Sequence, residues 1–146
     1  MMTPDTIFLT TCSIAAAGWI IIIFLSPFWR GYDKFVTGIV ITLLAIAYTW
    51  VNASNFDPGL IKKFGSLDGI AQIFSNRYLL TAAWIHFLAF DLLAAVWIKN
   101  NSVRHGISHL LIIPALVFSC LLGPFGYLIY LLTRFIKTRN YFVENF

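Results

Sequence analysis

The chain has 146 residues, of which 60% are hydrophobic and only 11% are charged. Soluble domains carry about 25% charged residues, so this composition excludes a soluble globule and leaves room for one membrane domain, residues 1–146. The net charge of +4 comes from basic residues at the ends of apolar runs, which favours lipid headgroups and argues against nucleic acid as a partner.

Four apolar runs are long enough to cross a bilayer as helices, since a core about 30 Å thick needs roughly 20 residues. The runs cover residues 6–26, 35–51, 78–98 and 107–132, and they predict an all-α bundle of four transmembrane helices. No basic segment precedes the first run, so we expect it to be kept rather than removed as a signal peptide.

The longest polar stretch, residues 52–77, has the pattern of short amphipathic helices. Asp57 followed by Pro58 is a typical helix start. Apolar residues then recur at helical spacing: Leu60, Ile61, Phe64, Leu67, Ile70, Ala71 and Phe74. We expect one or two interfacial helices, which either cover the end of the bundle or form a lid over a cavity open to lipid.

Span three carries two ionisable residues, His86 and Asp91, near its centre. A carboxylate at that depth costs about 2.5–3.5 kcal/mol on insertion scales, so it should be protonated or paired inside the protein. Five residues at about 100° each place the two side chains roughly 140° apart, so they face different helices unless a π-bulge intervenes. A plainer interpretation is that each one only joins two membrane helices.

The fourth run differs from the others because prolines fall within it. Its apolar stretch continues to Ile136, which is too long for one straight span at about 1.5 Å per residue. Pro114 and Pro124 each remove a backbone N–H, so they predict a kink or a break. The polar residues 99–104 before this run predict a tight turn, which makes spans three and four antiparallel neighbours.

Span four supplies the best partner for Asp91, which is His109. If Ile98 is level with His105 across the turn, Asp91 lies opposite Ile112, about 4.5 Å along the axis from His109. His105 and His109 are also spaced i, i+4, which would suit a metal pair, but an interfacial role for His105 is the simpler interpretation. We therefore expect neither a metal nor a cofactor.

Basic residues predict the orientation. With four spans, both ends of the chain and residues 52–77 share one face, which holds six Lys and Arg residues against four at the two short turns. The excess predicts that both ends are cytoplasmic.

Several short motifs occur in an order that resembles a known family. They are Phe56-Asp57-Pro58-Gly59, Trp84-Ile85-His86, Asp91-Leu92, Arg104-His105 and Gly123-Pro124-Phe125-Gly126. From about span two onward, the chain is similar to the small membrane-protein family typified by the plant plastid protein called abscisic-acid-deficient four. The resemblance implies a four-helix membrane protein and, in plants, a role in forming neoxanthin from violaxanthin. No plastid transit peptide precedes span one, so we expect a bacterial inner (cytoplasmic) membrane.

The residues and the resemblance together predict an enzyme that acts on a carotenoid-like isoprenoid lipid by cofactor-free acid–base isomerisation. Opening an epoxide to an allene needs a proton donor to the epoxide oxygen and a base for a carbon-bound proton. A carboxyl kept neutral by an apolar site suits the first role, and a neutral imidazole suits the second. Asp91 would be the acid, with His86 or His109 as the base.

Three further residues are candidates for substrate binding. Trp84 and Phe87 share the helical face of Asp91 and would line an apolar slot, although such aromatics commonly serve as helix packing. Arg134, near a membrane edge, would contact the substrate or anchor the chain to headgroups.

Two other functions fit the same composition. A non-catalytic membrane protein would bind a carotenoid or lipid and assist a partner enzyme. A small transporter ranks last, because spans one and two offer mostly Thr and Ser and so no continuous polar path. A homo-oligomer is compatible with each of these functions.

Overall fold

The computed structural model describes residues 2–139 and 142. Within these residues the backbone forms seven helices and no strand. The helices are α1 (Pro4–Leu25), α2 (Tyr32–Ser54), α3 (Gly59–Lys63), α4 (Leu67–Ser75), α5 (Arg77–Arg104), α6 (His109–Leu122) and α7 (Pro124–Thr138).

Three helices, α1, α2 and α5, are long and apolar enough to cross a membrane. They correspond to the first three predicted spans, and α2 and α5 both extend beyond the predicted limits. α1 and α2 each include a π-helical turn, at Ile21–Leu25 and Val36–Ile41, whereas α5 is α-helical throughout. The all-α prediction is confirmed, and the three candidate spans agree with a membrane protein.

α5 is the central helix and packs against α1, α2, α6 and α7. Four of its apolar side chains are completely buried against these neighbours: Ile85, Leu92, Ala95 and Ile98. At its start, Arg77 forms an ion pair of 2.6 Å with Asp5 of α1. Near its end, Asn100 accepts a hydrogen bond from the hydroxyl of Tyr32 in α2. We call the membrane face at the first contact the lid face and the face at the second contact the loop face.

The predicted turn at residues 99–104 is wrong, because α5 continues to Arg104. The polar residues there are accommodated inside the helical packing. Asn101, for example, is buried and accepts a hydrogen bond of 2.6 Å from the hydroxyl of Tyr130 in α7. The chain turns only after α5 ends, where Gly106 adopts a positive φ of 64°.

The predicted fourth span, residues 107–132, is divided into two helices. α6 has 14 residues and α7 has 15, so each is roughly 21–23 Å long and shorter than a bilayer core of about 30 Å. Between them Gly123 has a φ of 48°, and Pro124 begins α7. The four-span bundle is therefore not confirmed, and the described chain has three candidate spans followed by a helical hairpin, α6–α7.

α7 runs back along α6 instead of continuing across the membrane. Tyr130 of α7 contacts the ring of Trp97, with centroids 5.7 Å apart, and donates its hydrogen bond to Asn101. Both partners lie toward the loop-face end of α5. Gly123, in contrast, lies beside Asp91 near the middle of α5. The hairpin therefore enters from the loop face, turns about halfway across and returns to the same face.

The two hairpin helices are in backbone contact at Gly126. A Cβ atom on this glycine would lie 2.1 Å from the Ser119 nitrogen and 2.4 Å from the Ala115 oxygen. Ala115 and Ser119 are one turn apart on α6, so three small residues permit the close approach, as at other contacts between membrane helices.

The hairpin corrects the predicted orientation. The start of α1 lies on the lid face and the end of α7 on the loop face, so the two ends of the described chain do not share one face. Three of the ten basic residues then lie on the lid face: Lys62, Lys63 and Arg77. The other seven lie on the loop face: Arg30, Lys34, Lys99, Arg104, Arg134, Lys137 and Arg139. Most of the basic residues therefore lie on one face of the molecule, the loop face.

Candidate functional site

A cavity of about 410 Å³ lies on the lid face between α2, α5 and the two short helices. α2 contributes Tyr48 and Asn52 to its wall, and α5 contributes His86 and Phe87. The remaining lining is apolar: Phe56, Leu60, Ile61, Phe64, Ile73, Phe74, Leu79 and Ala83. We call this space the His86 cavity. Its volume falls within the usual range of small-molecule sites, about 300–1,000 Å³.

α3 and α4 form the lid of the cavity. A side-chain hydrogen bond fixes the start of each helix. The Asp57 carboxylate accepts a hydrogen bond of 2.9 Å from the Gly59 N–H, and the Ser66 hydroxyl accepts one of 3.1 Å from the Gly69 N–H. The helices meet so closely that a Cβ on Gly69 would lie 2.1 Å from the Lys63 oxygen. The prediction of two short amphipathic helices is confirmed, and they cover a cavity.

Three polar side chains converge in the His86 cavity. The His86 ring lies near the rings of Phe90 and Tyr48, at centroid distances of 4.5 and 5.8 Å. Neither its nitrogens nor the Tyr48 hydroxyl bonds another residue in the described part of the chain. Asn52 donates its amide N–H to the Tyr48 carbonyl at 2.9 Å, which leaves its side-chain oxygen for another donor. The cavity therefore offers both donors and acceptors within apolar walls.

Asp91 lies at the tip of the hairpin, away from the lid. One carboxyl oxygen is 2.8 Å from the point that a Cβ on Gly123 would occupy. Gly123 immediately precedes the first turn of α7, but no hydrogen bond joins the Asp91 carboxyl group to another residue in the described part of the chain. The neighbour that Asp91 meets in the segment after α5 is thus hairpin backbone.

Asp91 does not meet His109, and the reason is the length of α5. Because α5 continues through the predicted turn, Asp91 is level with Gly123 instead of Ile112. His109 begins α6, which is 14 residues long, so it lies roughly 21 Å away along the axis. Its Nε2 donates a hydrogen bond of 2.8 Å to the Ile23 carbonyl in the π-helical turn of α1.

His86 and Asp91 are also apart. α5 keeps α-helical geometry over both residues, so no π-bulge turns them toward each other, and one faces the lid while the other faces the hairpin. Of the three residues predicted to be catalytic, the structure brings no two together, and only His86 lines the cavity. Their catalytic roles stay predictions.

His105 and His109 do not lie one turn apart on the same helix, as the metal-pair hypothesis requires. His105 immediately follows the last residue of α5, His109 begins α6, and Gly106 has a positive φ between them. His105 donates from Nδ1 to the Asn101 carbonyl at 2.9 Å, so it closes the end of its own helix. Among residues 2–139 and 142, no group of three or more His, Cys, Asp or Glu side chains is placed to hold a metal ion.

The three residues predicted to bind substrate are spread over the molecule. Phe87 lines the cavity under the lid. Trp84 packs against α1, where its Nε1 lies 3.4 Å from the Cys12 sulfur. Arg134 is 1% exposed and donates one hydrogen bond of 2.7 Å to the Phe142 carbonyl. Only Phe87 lies where a ligand of the cavity would touch it.

Tyr48 and Asn52 were not predicted as site residues from the sequence. Both lie in the last turns of α2, spaced i, i+4 on one face. A polar pair at this spacing, next to the amphipathic segment, is the signal that would have indicated them.

Comparisons with known proteins agree with the motif resemblance. Among curated proteins, the chain is similar to Protein ABA DEFICIENT 4, chloroplastic, from Arabidopsis thaliana, with 27% identity over 106 residues. The match covers 68% of this chain and 47% of the relative, so the chain spans about half the length of that protein. The relative is chloroplastic, so the expected bacterial inner membrane gains no support from it. No solved structure matches the chain.

The sequence profile of the family described as ABA DEFICIENT 4-like matches residues 6–130. This range includes α2 to α6 completely and most of α1, and it extends into α7. It therefore contains the His86 cavity, Asp91 and the tip of the hairpin. The chain belongs to the ABA DEFICIENT 4-like family.

Proposed function

We propose that the chain binds a carotenoid-like isoprenoid within the membrane and holds an oxygenated end group of that ligand in the His86 cavity. The observation that carries this proposal is the convergence of Tyr48, Asn52 and His86 inside apolar walls. Few, well-placed polar groups in an apolar cavity are typical of small-molecule sites. The family supports the ligand class, because the resemblance implies a role in neoxanthin formation for its plant members.

The elongated part of such a ligand would lie along α2. One shallow depression shares Tyr48 and Asn52 with the His86 cavity. A second shares Thr49 with the first and continues along α2 to Ile41. From Asn52 to Ile41 this surface of α2 is roughly 16 Å long, and every lining residue of the longer depression belongs to α2. A polyene chain would lie along this surface from the cavity toward the loop face.

Binding without chemistry is the version that the geometry supports best. An epoxide isomerisation needs a proton donor and a base at the same substrate atoms. Asp91 and His86 face different sides of α5, so they would not act on one end group. The cavity recognises an oxygenated ring without that pair.

A cofactor-free isomerase is the second candidate, with Tyr48 in the role predicted for Asp91. Its support is the 5.8 Å separation between the rings of Tyr48 and His86. In this scheme the Tyr48 hydroxyl protonates the epoxide oxygen as the C–O bond breaks, and His86 takes a carbon-bound proton. Transfer of that proton back to Tyr48 completes the cycle, with no gain or loss of electrons.

Pigment binding by the purified full chain tests the proposal. Violaxanthin has oxygenated end groups and β-carotene does not, so we expect violaxanthin to copurify in preference. His86→Phe should weaken violaxanthin binding up to about tenfold, because one hydrogen bond is lost. Trp84→Phe, on the same helix but outside the cavity, is the matched control and should bind like the native chain. Equal binding of both pigments by all three proteins would contradict the proposal.

Product analysis separates the two candidates. The native chain and Tyr48→Phe are incubated with violaxanthin, and the extract is chromatographed for an isomer of the same mass. An isomer that forms only with the native chain supports the enzyme. Its absence in both samples, with the pigment still bound, supports binding alone. Loss of isomer in Asp91→Asn but not in Tyr48→Phe would return the acid role to Asp91.

A further inference from the structure

A second cavity, of about 450 Å³, opens on the loop face. It lies between the connection after α1, the start of α2 and the end of α5, at the opposite membrane face from the His86 cavity. Six of its lining residues carry charge or hydrogen-bonding groups that matter here: Arg30, Tyr32, Asp33, Lys99, Asn100 and Arg104. We call it the Lys99 cavity.

Lys99 is the buried cation of this cavity. It is only 6% exposed, and its ammonium group has no hydrogen-bond or ion-pair partner among the described residues. Its Nζ is not among the completely buried atoms that lack a partner, so the ammonium group reaches the cavity, where an opposite charge would stabilise it. An anion in the cavity would supply the missing partner.

The rest of the lining also favours an anion. Arg30 and Arg104 are exposed at the mouth of the cavity and add two positive charges. Asp33 is the single acidic residue of the lining, and its carboxylate already accepts a hydrogen bond of 2.8 Å from the Lys34 N–H. Three cations therefore face one carboxylate.

A phosphate group fits these donors better than a planar carboxylate. The Asn100 oxygen accepts the Tyr32 hydroxyl hydrogen bond, so the Asn100 amide N–H groups are left to donate. Phosphate accepts hydrogen bonds from several directions at once. The forked guanidinium groups of Arg30 and Arg104 match pairs of oxygens in phosphate and carboxylate alike, so the preference for phosphate comes from the several directions of the donors.

We propose that the Lys99 cavity binds a phosphate group and that this group is the headgroup phosphate of an anionic lipid. The neighbouring Phe28 is 90% exposed, as expected of a side chain that enters the bilayer next to the site. Most basic residues of the chain share this face, and basic cavities between membrane helices bind anionic headgroups. The site is separate from the His86 cavity and does not depend on the function proposed for it.

Lipid binding by the purified full chain in a neutral detergent tests the proposal. The probes are phosphatidylglycerol, phosphatidylcholine with the same acyl chains, and inorganic phosphate, each titrated by native mass spectrometry. The double variant Arg30→Gln with Arg104→Gln removes two exposed cations from the cavity. Its matched control, Lys137→Gln with Arg139→Gln, removes the same charge from the same membrane face outside the cavity.

We expect phosphatidylglycerol to bind more tightly than phosphatidylcholine. The cavity variant should bind phosphatidylglycerol about 30-fold more weakly, since each basic residue near an anionic surface contributes about fivefold. The control variant should lose much less. An equal loss in both variants, or equal binding of the two lipids by the native chain, would overturn the proposal.

Lys99→Met gives a second readout that does not depend on affinity. Methionine fills a similar volume without the charge, so the thermal midpoint without anionic lipid should rise, and phosphatidylglycerol should no longer raise it further. A fall in the midpoint together with full stabilisation by phosphatidylglycerol would contradict the role of Lys99. Stabilisation of the native chain by inorganic phosphate as strong as by the lipid would support a phosphate site but assign it to the free ion.

Discussion

The polar residues on the two sides of α5 have different surroundings. On the lid side, the His86 ring and the Tyr48 hydroxyl lie in an open cavity without hydrogen-bond partners among the described residues. On the hairpin side, Asp91 lies against the Gly123 backbone, and the two hairpin helices touch at Gly126. The two lid helices touch each other at Gly69, so they would have to move as one unit to admit a ligand, whereas the hairpin helices cannot separate without unpacking.

Within α5, the residues expected to contact a ligand therefore lie on a different side from those that hold the hairpin in place. Substitutions on the hairpin side should change stability, because they alter contacts between backbones. Substitutions on the lid side should change ligand affinity and leave the empty protein almost as stable as before.

The largest effect is expected for Gly126→Val. Any Cβ there would overlap the Ser119 and Ala115 backbone of α6, and backbone cannot rotate away. We expect a loss of about 3 kcal/mol or more in the free energy of unfolding, measured as a lower thermal midpoint in detergent. Gly38→Ala is the control, because no atom lies within 4 Å of that position. Equal midpoints for the two variants would mean that the hairpin contact is absent.

Gly123→Ala should cost about 1–3 kcal/mol, because the residue has a positive φ of 48°. Its new Cβ would also lie 2.8 Å from the Asp91 carboxyl oxygen. Adding Asp91→Ala to Gly123→Ala should recover part of the lost stability. A double variant whose loss equals the sum of the single losses would show that the two residues are not in contact.

Phe64→Ala should weaken ligand binding and barely affect stability. The side chain lines the His86 cavity yet is 65% exposed in the empty protein. Loss of its contact should weaken pigment binding about fivefold, measured by copurified pigment. Leu67→Ala is the matched control, since Leu67 is 83% exposed and does not line the cavity. If Phe64→Ala lowers the thermal midpoint as much as Gly123→Ala does, the lid is structural.

Arg77→Gln should have the smallest effect, below about 1 kcal/mol. The Arg77–Asp5 pair joins α1 to α5 at 2.6 Å, but both side chains are more than 60% exposed. High salt should reduce its contribution further. A thermal midpoint of the native chain that is independent of salt, with a large loss in Arg77→Gln, would contradict this estimate.

The first three spans and the lid helices could be predicted from the sequence, because the patterns that indicate them are local. Apolar runs of sufficient length marked α1, α2 and α5, and the helical recurrence of Leu67 and Phe74 marked α4. The end of α5 was misplaced because Asn101 is polar and therefore resembled a turn residue. Its hydrogen bond comes from Tyr130, which is distant in sequence and reaches it only after the hairpin folds.

The reversal at Gly123 could not be predicted for the same physical reason. A glycine–proline pair interrupts a kinked span and a hairpin alike. The choice depends on the contact of Gly126 with Ser119 across the break, which no periodicity encodes. Of the polar side chains in the cavity, His86 was predicted from the sequence but Tyr48 was not, because only tertiary packing brings Tyr48 beside His86.

The hairpin that turns at Gly123 gives the described part of the molecule an unequal cross-section. Five helices pass through the half of the bilayer next to the loop face, but only three pass through the other half. Acyl chains of a single leaflet must fill the space beneath the hairpin tip, where Leu121 and Phe125 are exposed. The protein is therefore a wedge, and the lipids beside it must pack differently in the two leaflets.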